Sequence, residues 1–261
     1  MSKFILLTLL FFTALQAKIF EIQNFKQVIS YLDKETILIL DIDDTLLITE
    51  HMLGCEEWRL DRLKKCEKKM DPLEAFEKSL AEWEAIRHLS KMEIVEPGTE
   101  VIVRDLQTQG YSIMALTTQG LALATRTSQQ LKANGFDLTL TAPFDEDCFF
   151  TLKHHGVLYR NGILFTSGRP KGEAFFQCCE KMNYQPKRIV FVNDRESHLE
   201  DLEKTANLKR VEFIGLRYAY SDAKKASFCP EIAEFQFTHS SFDRIVSDEE
   251  AKIQCKAVLH E

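Results

Sequence analysis

The apolar pattern changes period several times along the chain, and each change marks an element. Thr36 to Leu40 is a run of β-branched and leucine side chains with a cluster of acids immediately after it. It predicts a strand buried on both faces that ends at a polar edge. Residues 24–33 read as a short helix. Residues 56–70 carry Trp58, Leu63, Cys66 and Met70 at helical spacing. Asp71 then predicts the cap of a second helix, with Pro72 at its first position and Glu74 at its third. The stripe Leu73, Phe76, Leu80, Trp83 and Ile86 predicts the packing face of that helix, and Pro97-Gly98 closes the block. Beyond it the pattern predicts a helix over 99–108 ending near Gly110, a strand over 111–116, and a helix over 120–133 stopping at Asn134-Gly135. A strand follows over 137–141, then a hairpin over 147–166 that turns near His155-Gly156 or Asn161-Gly162. Helix 171–182, strand 188–192, helix 196–206 and strand 211–215 complete the series.

Strands that alternate with helices imply an α/β fold: a doubly wound, mostly parallel, Rossmann-like sheet covered on both faces. The helical block interrupts that alternation after the first of these strands. The expected organisation is therefore a core of residues 18–47 and 96–261 with a helical cap inserted at 48–95. No repeat or low-complexity tract is visible.

The first seventeen residues stand apart. Lys3 precedes an apolar run from Phe4 to Phe12, broken by Thr8, and Ala17 offers a small residue before a cleavage point. This predicts a signal peptide over 1–17, too short for a comfortable membrane span, and hence an exported protein, periplasmic or secreted. An uncleaved N-terminal anchor is the alternative. No second long apolar run occurs, so no transmembrane segment is expected after signal removal. The formal charge of -7 becomes -8 without Lys3, since residues 1–17 hold no acid. Its basic residues are scattered, which argues against a broad nucleic-acid surface. The seven cysteines form no C-x-x-C pair, and Cys55 and Cys66 would lie about 16 Å apart on one helix, too far to bridge.

The chemistry concentrates in ILILDIDDTLL at 37–47. Asp41 and Asp43 are two apart at the end of an apolar strand, so both carboxylates can face one crevice. Such crevices lie beyond the carboxyl ends of parallel strands. Two carboxylates this close repel unless a cation or a proton intervenes, and a hard cation such as Mg²⁺ is the natural resolution.

This segment resembles the first motif of the haloacid-dehalogenase-like superfamily, and the other motifs follow in order. Thr117 in LTTQG matches the hydroxyl that holds the phosphoryl group, with Thr118 competing for the role. Lys171 in GRPKGEAFF matches the lysine that opens the helix before the fourth strand, with Arg169 its nearest rival. Asp194 in FVNDRESHLEDL matches the metal-binding acid. The resemblance implies a haloacid-dehalogenase-like fold and a Mg²⁺-dependent phosphohydrolase. Asp41 would be the nucleophile and Asp43 the general acid and base. Thr117 and Lys171 would bind the phosphoryl oxygens, and Asp41, the Asp43 carbonyl and Asp194 would hold Mg²⁺. The substrate would be a small phosphate ester. Two positions depart from the pattern: Asn193, where many relatives carry Gly, Asp or Glu, and His198, where they often carry Asp or Asn. Both bear on metal affinity.

In such enzymes the cap selects the substrate, and His51, Trp58 and Arg59 are candidate contacts, although periodicity also allows Trp58 as core. His154 and His155 have no expected role. The helical insert, the hairpin and the export signal resemble secreted acid phosphatases of the superfamily. They also resemble a related group of signal-bearing bacterial proteins of unknown function, to which MLGCEEW at 52–58 and GILFTSGRPKG at 162–172 are most similar. The competing functions are a phosphotransferase and a non-catalytic binding or effector protein that keeps the fold.

Overall fold

A computed structural model describes residues 18–241 and 243–258, so the expected signal peptide lies outside the described residues. Lys18–Ile22 forms β1, and a 3-10 turn over Phe25–Tyr31 leads into β2, Thr36–Leu40. The chain leaves through β3, Leu47–Thr49, and returns through β4, Met92–Ile94, its antiparallel partner. Between these strands lie α1, Glu56–Glu67, and α2, Pro72–Leu89. As expected, the Asp71 carboxylate caps α2, accepting from the N–H groups of Leu73 and Glu74 at 3.0 and 3.2 Å. The alternating part then supplies α3 (Thr99–Thr108), β5 (Ser112–Thr117) and α4 (Ala124–Ala133). A meander follows: β6 (Cys148–Leu152), β7 (His155–Arg160) and β8 (Ile163–Phe165). Next come α5 (Lys171–Lys181), β9 (Arg188–Asn193), α6 (Glu196–Lys209) and β10 (Glu212–Tyr218). Three further helices, α7 (Asp222–Ala226), α8 (Pro230–His239) and α9 (Asp248–Val258), end the described chain.

Eight strands form one sheet in the order β1-β10-β9-β2-β5-β8-β7-β6. The first six are parallel, and β7 and β6 form an antiparallel edge. The expected doubly wound sheet is thus present, with β2 near its centre. All five β2 residues are buried. Leu38 and Leu40 join a cluster with Val103 and Leu106 of α3 and Leu131 of α4. Ile37 and Ile39 join another with Phe175 of α5 and Leu199 and Leu202 of α6. Burying each such side chain contributes roughly 1.5–3 kcal/mol, which is why this strand needs no polar alternation. Leu40 pairs with Val192 of β9 and Ala115 of β5, so the ends of three strands meet at one edge.

Three expectations need correction. Residues 137–141 form no strand. The Asp137 carboxylate accepts from the Thr139 N–H and hydroxyl at 3.0 and 2.6 Å, and this local bonding holds the segment as a turn. The hairpin is a three-stranded meander, with turns at Lys153-His154 and Asn161-Gly162, all four residues at positive φ. His155-Gly156 lies inside β7. Gly162 is required by proximity as well, since a Cβ there would fall 2.4 Å from the Leu138 carbonyl oxygen. Finally, α2 buries Ala75, Ser79, Trp83 and Arg87, while Leu73 is 67% exposed. Trp83, Leu80 and Ile86 of the expected stripe do pack in the apolar cluster of the insert, but the buried face extends to Ser79 and Arg87 and leaves out Leu73. Trp58 and Trp83 pack with Leu53, Leu123 and Ala233, so α8 and the helical insert share a separate apolar cluster.

Candidate active site

Strand β2 delivers Asp41 to the sheet edge, where its N–H donates to the Val192 carbonyl at 3.0 Å. The chain then turns tightly: the N–H groups of Leu46 and Leu47 both donate to the Ile42 carbonyl at 2.9 Å. Asp44 takes the left-handed conformation this turn demands (φ 59), which aspartate tolerates better than most residues. The Thr45 hydroxyl oxygen accepts from the Asp194 N–H at 3.1 Å, tying this turn to the end of β9.

Each of three acids at this edge meets a cation from a different part of the chain. Lys171, at the start of α5 and only 1% exposed, donates through Nζ to Asp41 Oδ1 at 2.6 Å. Arg87 of α2 donates through Nη2 to Asp43 Oδ1 at 2.6 Å, and Gln119 donates through Nε2 to Asp43 Oδ2 at 2.8 Å. Gln119 is oriented in turn by the Thr127 hydroxyl, which donates to its Oε1 at 2.5 Å. Lys225 of α7 donates through Nζ to Asp194 Oδ2 at 2.7 Å. Thr117 lies at the end of β5 with its hydroxyl oxygen accepting from the Gln119 N–H at 3.1 Å. Its own O–H therefore remains available to donate.

Burial dominates the electrostatics. It pushes the Asp41 carboxyl up to about 7; Lys171 opposes this, and the charges of Asp194 and Asp43 add to it. Asp44 is raised well above the carboxylate range by burial and by Asp194, Glu57 and Asp43. Burial pulls Lys225 down, but Asp194, Asp44 and Asp222 outweigh it and hold the ammonium in its charged form. His198 is held down to about 2 by burial and by the charges of Lys171, Arg195 and Arg59.

The donor set suits a hard divalent cation. Asp41 and Asp194 are 5% and 3% exposed and repel one another, and the described hydrogen bonds leave Asp41 Oδ2 and Asp194 Oδ1 without partners. Among the described residues no three His, Cys, Asp or Glu side chains form a metal-holding group. A cation here would rest on two carboxylates, a backbone carbonyl and water, which is the usual manner of Mg²⁺.

The five residues singled out from the sequence therefore gather at one edge. Their rivals Thr118 and Arg169 make no described side-chain hydrogen bond to these acids. The Thr118 carbonyl accepts from the Gly168 N–H, and Arg169 Nε is buried without a partner. Asn193 Oδ1 accepts from the Arg195 N–H at 2.8 Å, capping the turn before α6. Trp58 is fully buried packing, His51 lies 3.9 Å from Asp248, and Arg59 pairs with Glu56. Sequence reasoning missed Arg87, Gln119 and Lys225. Gln119 sits two residues after Thr117 and could have been found; Arg87 and Lys225 carry no local signal.

Comparison with known proteins places the chain beside uncharacterised relatives. The family described as "Protein of unknown function (DUF2608)" matches residues 21–252. A Chlamydia pneumoniae protein named "Putative outer membrane protein" is 23% identical over 228 residues, covering 86% of this chain and 84% of its own length. Among solved structures, the chain is similar to a haloacid dehalogenase-like family hydrolase from Streptococcus pneumoniae. That match has 13% identity and a TM-score of 0.45, covering 73% of this chain and 97% of the other. A HAD-superfamily hydrolase from Geobacter sulfurreducens gives 13% identity and a TM-score of 0.41, covering 73% and 95%. No helix among the described residues is long and apolar enough to cross a membrane.

Proposed function

Because the chain belongs to the family described as "Protein of unknown function (DUF2608)", whose description assigns no reaction, we propose a function from the site itself: an exported phosphomonoesterase that works through an aspartyl-phosphate on Asp41. The observation that supports it most is the buried Asp41–Lys171 pair, 2.6 Å apart, with Asp43 two residues on and Asp194 at the neighbouring strand end. A buried nucleophilic carboxylate beside a fixed cation, at the carboxyl edge of a parallel sheet, suits attack on an anionic phosphoryl group.

In this reading an Asp41 carboxylate oxygen attacks phosphorus while the bond to the ester oxygen breaks. Asp43 gives a proton to the departing oxygen, then takes one from the water that cleaves the aspartyl-phosphate. Arg87 and Gln119 hold the Asp43 carboxylate in one orientation for both steps. The Thr117 hydroxyl and the Lys171 ammonium bind the equatorial phosphoryl oxygens, where negative charge accumulates. Asp41, the Asp43 carbonyl and Asp194 would hold Mg²⁺, which supplies charge compensation between two anions. Lys225 occupies Asp194 Oδ2 and leaves Oδ1 for the cation. The insert at 48–95 acts as the cap, carrying Arg87 onto the site. Export is supported by the apolar run at residues 4–12. The Lys225–Asp194 contact favours a second reading, a non-catalytic anion binder whose acids are already neutralised.

Phosphate release from a panel of monoesters, with Mg²⁺ and with chelator, tests the proposal. Metal-dependent release that falls at least about a thousandfold in Asp41→Asn is expected. Folded protein that binds phosphate esters without turnover would favour the second reading.

A further inference from the structure

Next to the three paired acids is a fourth cluster that the proposed chemistry does not use. Arg59 of α1 and Arg195, just before α6, come from opposite sides of the site and meet on one carboxylate. Arg59 donates through Nε to Glu56 Oε2 at 2.9 Å and through Nη2 to Glu56 Oε1. Arg195 Nη2 lies 3.4 Å from the same Oε1, and its Nε lies 4.0 Å from Asp194 Oδ2. Two guanidinium groups thus share one carboxylate, and neither leaves a buried polar atom without a partner. The Arg59 and Arg195 side chains are half-buried. Glu56 is the first residue of α1 and reaches Arg59 as an i,i+3 neighbour, a weak kind of pair that a better-placed anion can displace.

The cluster also has a definite side. Arg195, 4.0 Å from Asp194 and 3.4 Å from Glu56, ties the arginine pair to the edge of the site. Lys171, Arg195 and Arg59 all bear on the single imidazole of His198, whose Nδ1 is buried without a partner. The arginine pair therefore borders the place proposed for the phosphoryl group, on the Asp194 side, where a second anionic group of the same small molecule would meet it. Planar guanidinium groups match carboxylate and phosphate oxygens in pairs, as an alcohol or a sugar hydroxyl does not.

We propose that Arg59 and Arg195 form a second anion subsite, occupied by Glu56 in the free protein, and that the substrate is a phosphate monoester whose leaving group carries a further carboxylate or phosphate. This rests on the phosphohydrolase reading for the position of the first phosphoryl group. It implies that Glu56 swings out when substrate enters, and that esters of neutral alcohols are poorer ligands.

The test is calorimetric binding to the Asp41→Asn protein in Mg²⁺, using matched pairs: glycerol 3-phosphate against 3-phosphoglycerate, and fructose 6-phosphate against fructose 1,6-bisphosphate. The second anion is expected to tighten binding about tenfold, the scale of one bidentate charged contact. Preference in the first pair alone marks a carboxylate site, and in the second alone a phosphate site. Adding Arg59→Gln or Arg195→Gln should bring the ratio toward one, and adding Glu56→Gln should increase it. A ratio near one in the Asp41→Asn protein, or one unmoved by the arginine and glutamate substitutions, overturns the subsite. Phosphate release from 3-phosphoglycerate and fructose 1,6-bisphosphate by the unsubstituted protein in Mg²⁺ reports separately on the phosphohydrolase reading. Turnover without preference removes the subsite alone, preference without turnover removes the reading alone, and absence of both removes both.

Discussion

Strand β2 and helix α2 are both covered, yet they bury opposite chemistry. β2 places five apolar-rich residues between two hydrophobic clusters, and nothing on it titrates until Asp41. The inner face of α2 buries Ser79 and Arg87 with Ala75 and Trp83, and Arg87 is spent on Asp43. The strand is held by area removed from water, while the helix is held partly by one charged contact to the site it covers. Apolar area gives stability without direction; a guanidinium–carboxylate contact gives direction with less net stability.

The sharpest way to break that contrast is Leu38→Ala. It should cost about 2–5 kcal/mol of unfolding free energy, because the site lies between close-packed layers and cannot collapse. Denaturant titration would read it, and a loss under 1 kcal/mol would mean the strand is not the rigid element supposed here. Next comes Arg87→Gln. Freeing one oxygen of Asp43 should lower kcat/KM about a hundredfold through misplacement of the acid, with a far smaller change in stability than Leu38→Ala. Equal losses of stability in the two variants would erase the distinction between strand and helix.

The smallest expected effect is a pH dependence confined to the site. His198 titrates in the unfolded chain near 6.5 and is held down to about 2 when folded, so below 6.5 the unfolded state binds more protons. Its contribution is complete above pH 6.5 and declines as pH falls through that window. His198→Asn should recover about 1–2 kcal/mol at pH 5 relative to the parent, allowing for partial solvent screening, and nothing at pH 8. Parallel stability curves for the two proteins between pH 5 and 8 would count against a neutral, half-buried imidazole.

The two regions also differ in how legible they were. The β2 strand was plain in TILIL followed by acids, since a strand buried on both faces reads as an unbroken apolar run. The α2 helix was recognisable from its Asp71-Pro72 start and most of its packing stripe, but the burial of Ser79 and Arg87 was not. Periodicity assumes that buried means apolar, and here the buried face meets loops bearing Gln119 and Asp43. The turn at 137–141 was missed because Asp137 satisfies the backbone locally where alternation suggested a ladder.

Read without coordinates, the chain already specifies a parallel sheet, a helical insert after β2, and an ordered set of polar residues at strand ends: Asp41, Asp43, Thr117, Lys171 and Asp194. The sheet, the insert and the Asp41/Asp43 pair follow from local periodicity and spacing, which are properties of neighbouring residues, whereas Thr117, Lys171 and Asp194 follow from the resemblance to the haloacid-dehalogenase-like motifs. Only the tertiary structure decides that Arg87 and Lys225 reach Asp43 and Asp194, and that Arg195 meets Arg59 on Glu56 beside them. Each comes from a different element, and the register β9-β2-β5 with the packing of the insert brings them together. Charge pairing acts through space across a sheet edge, and no spacing along the chain encodes it.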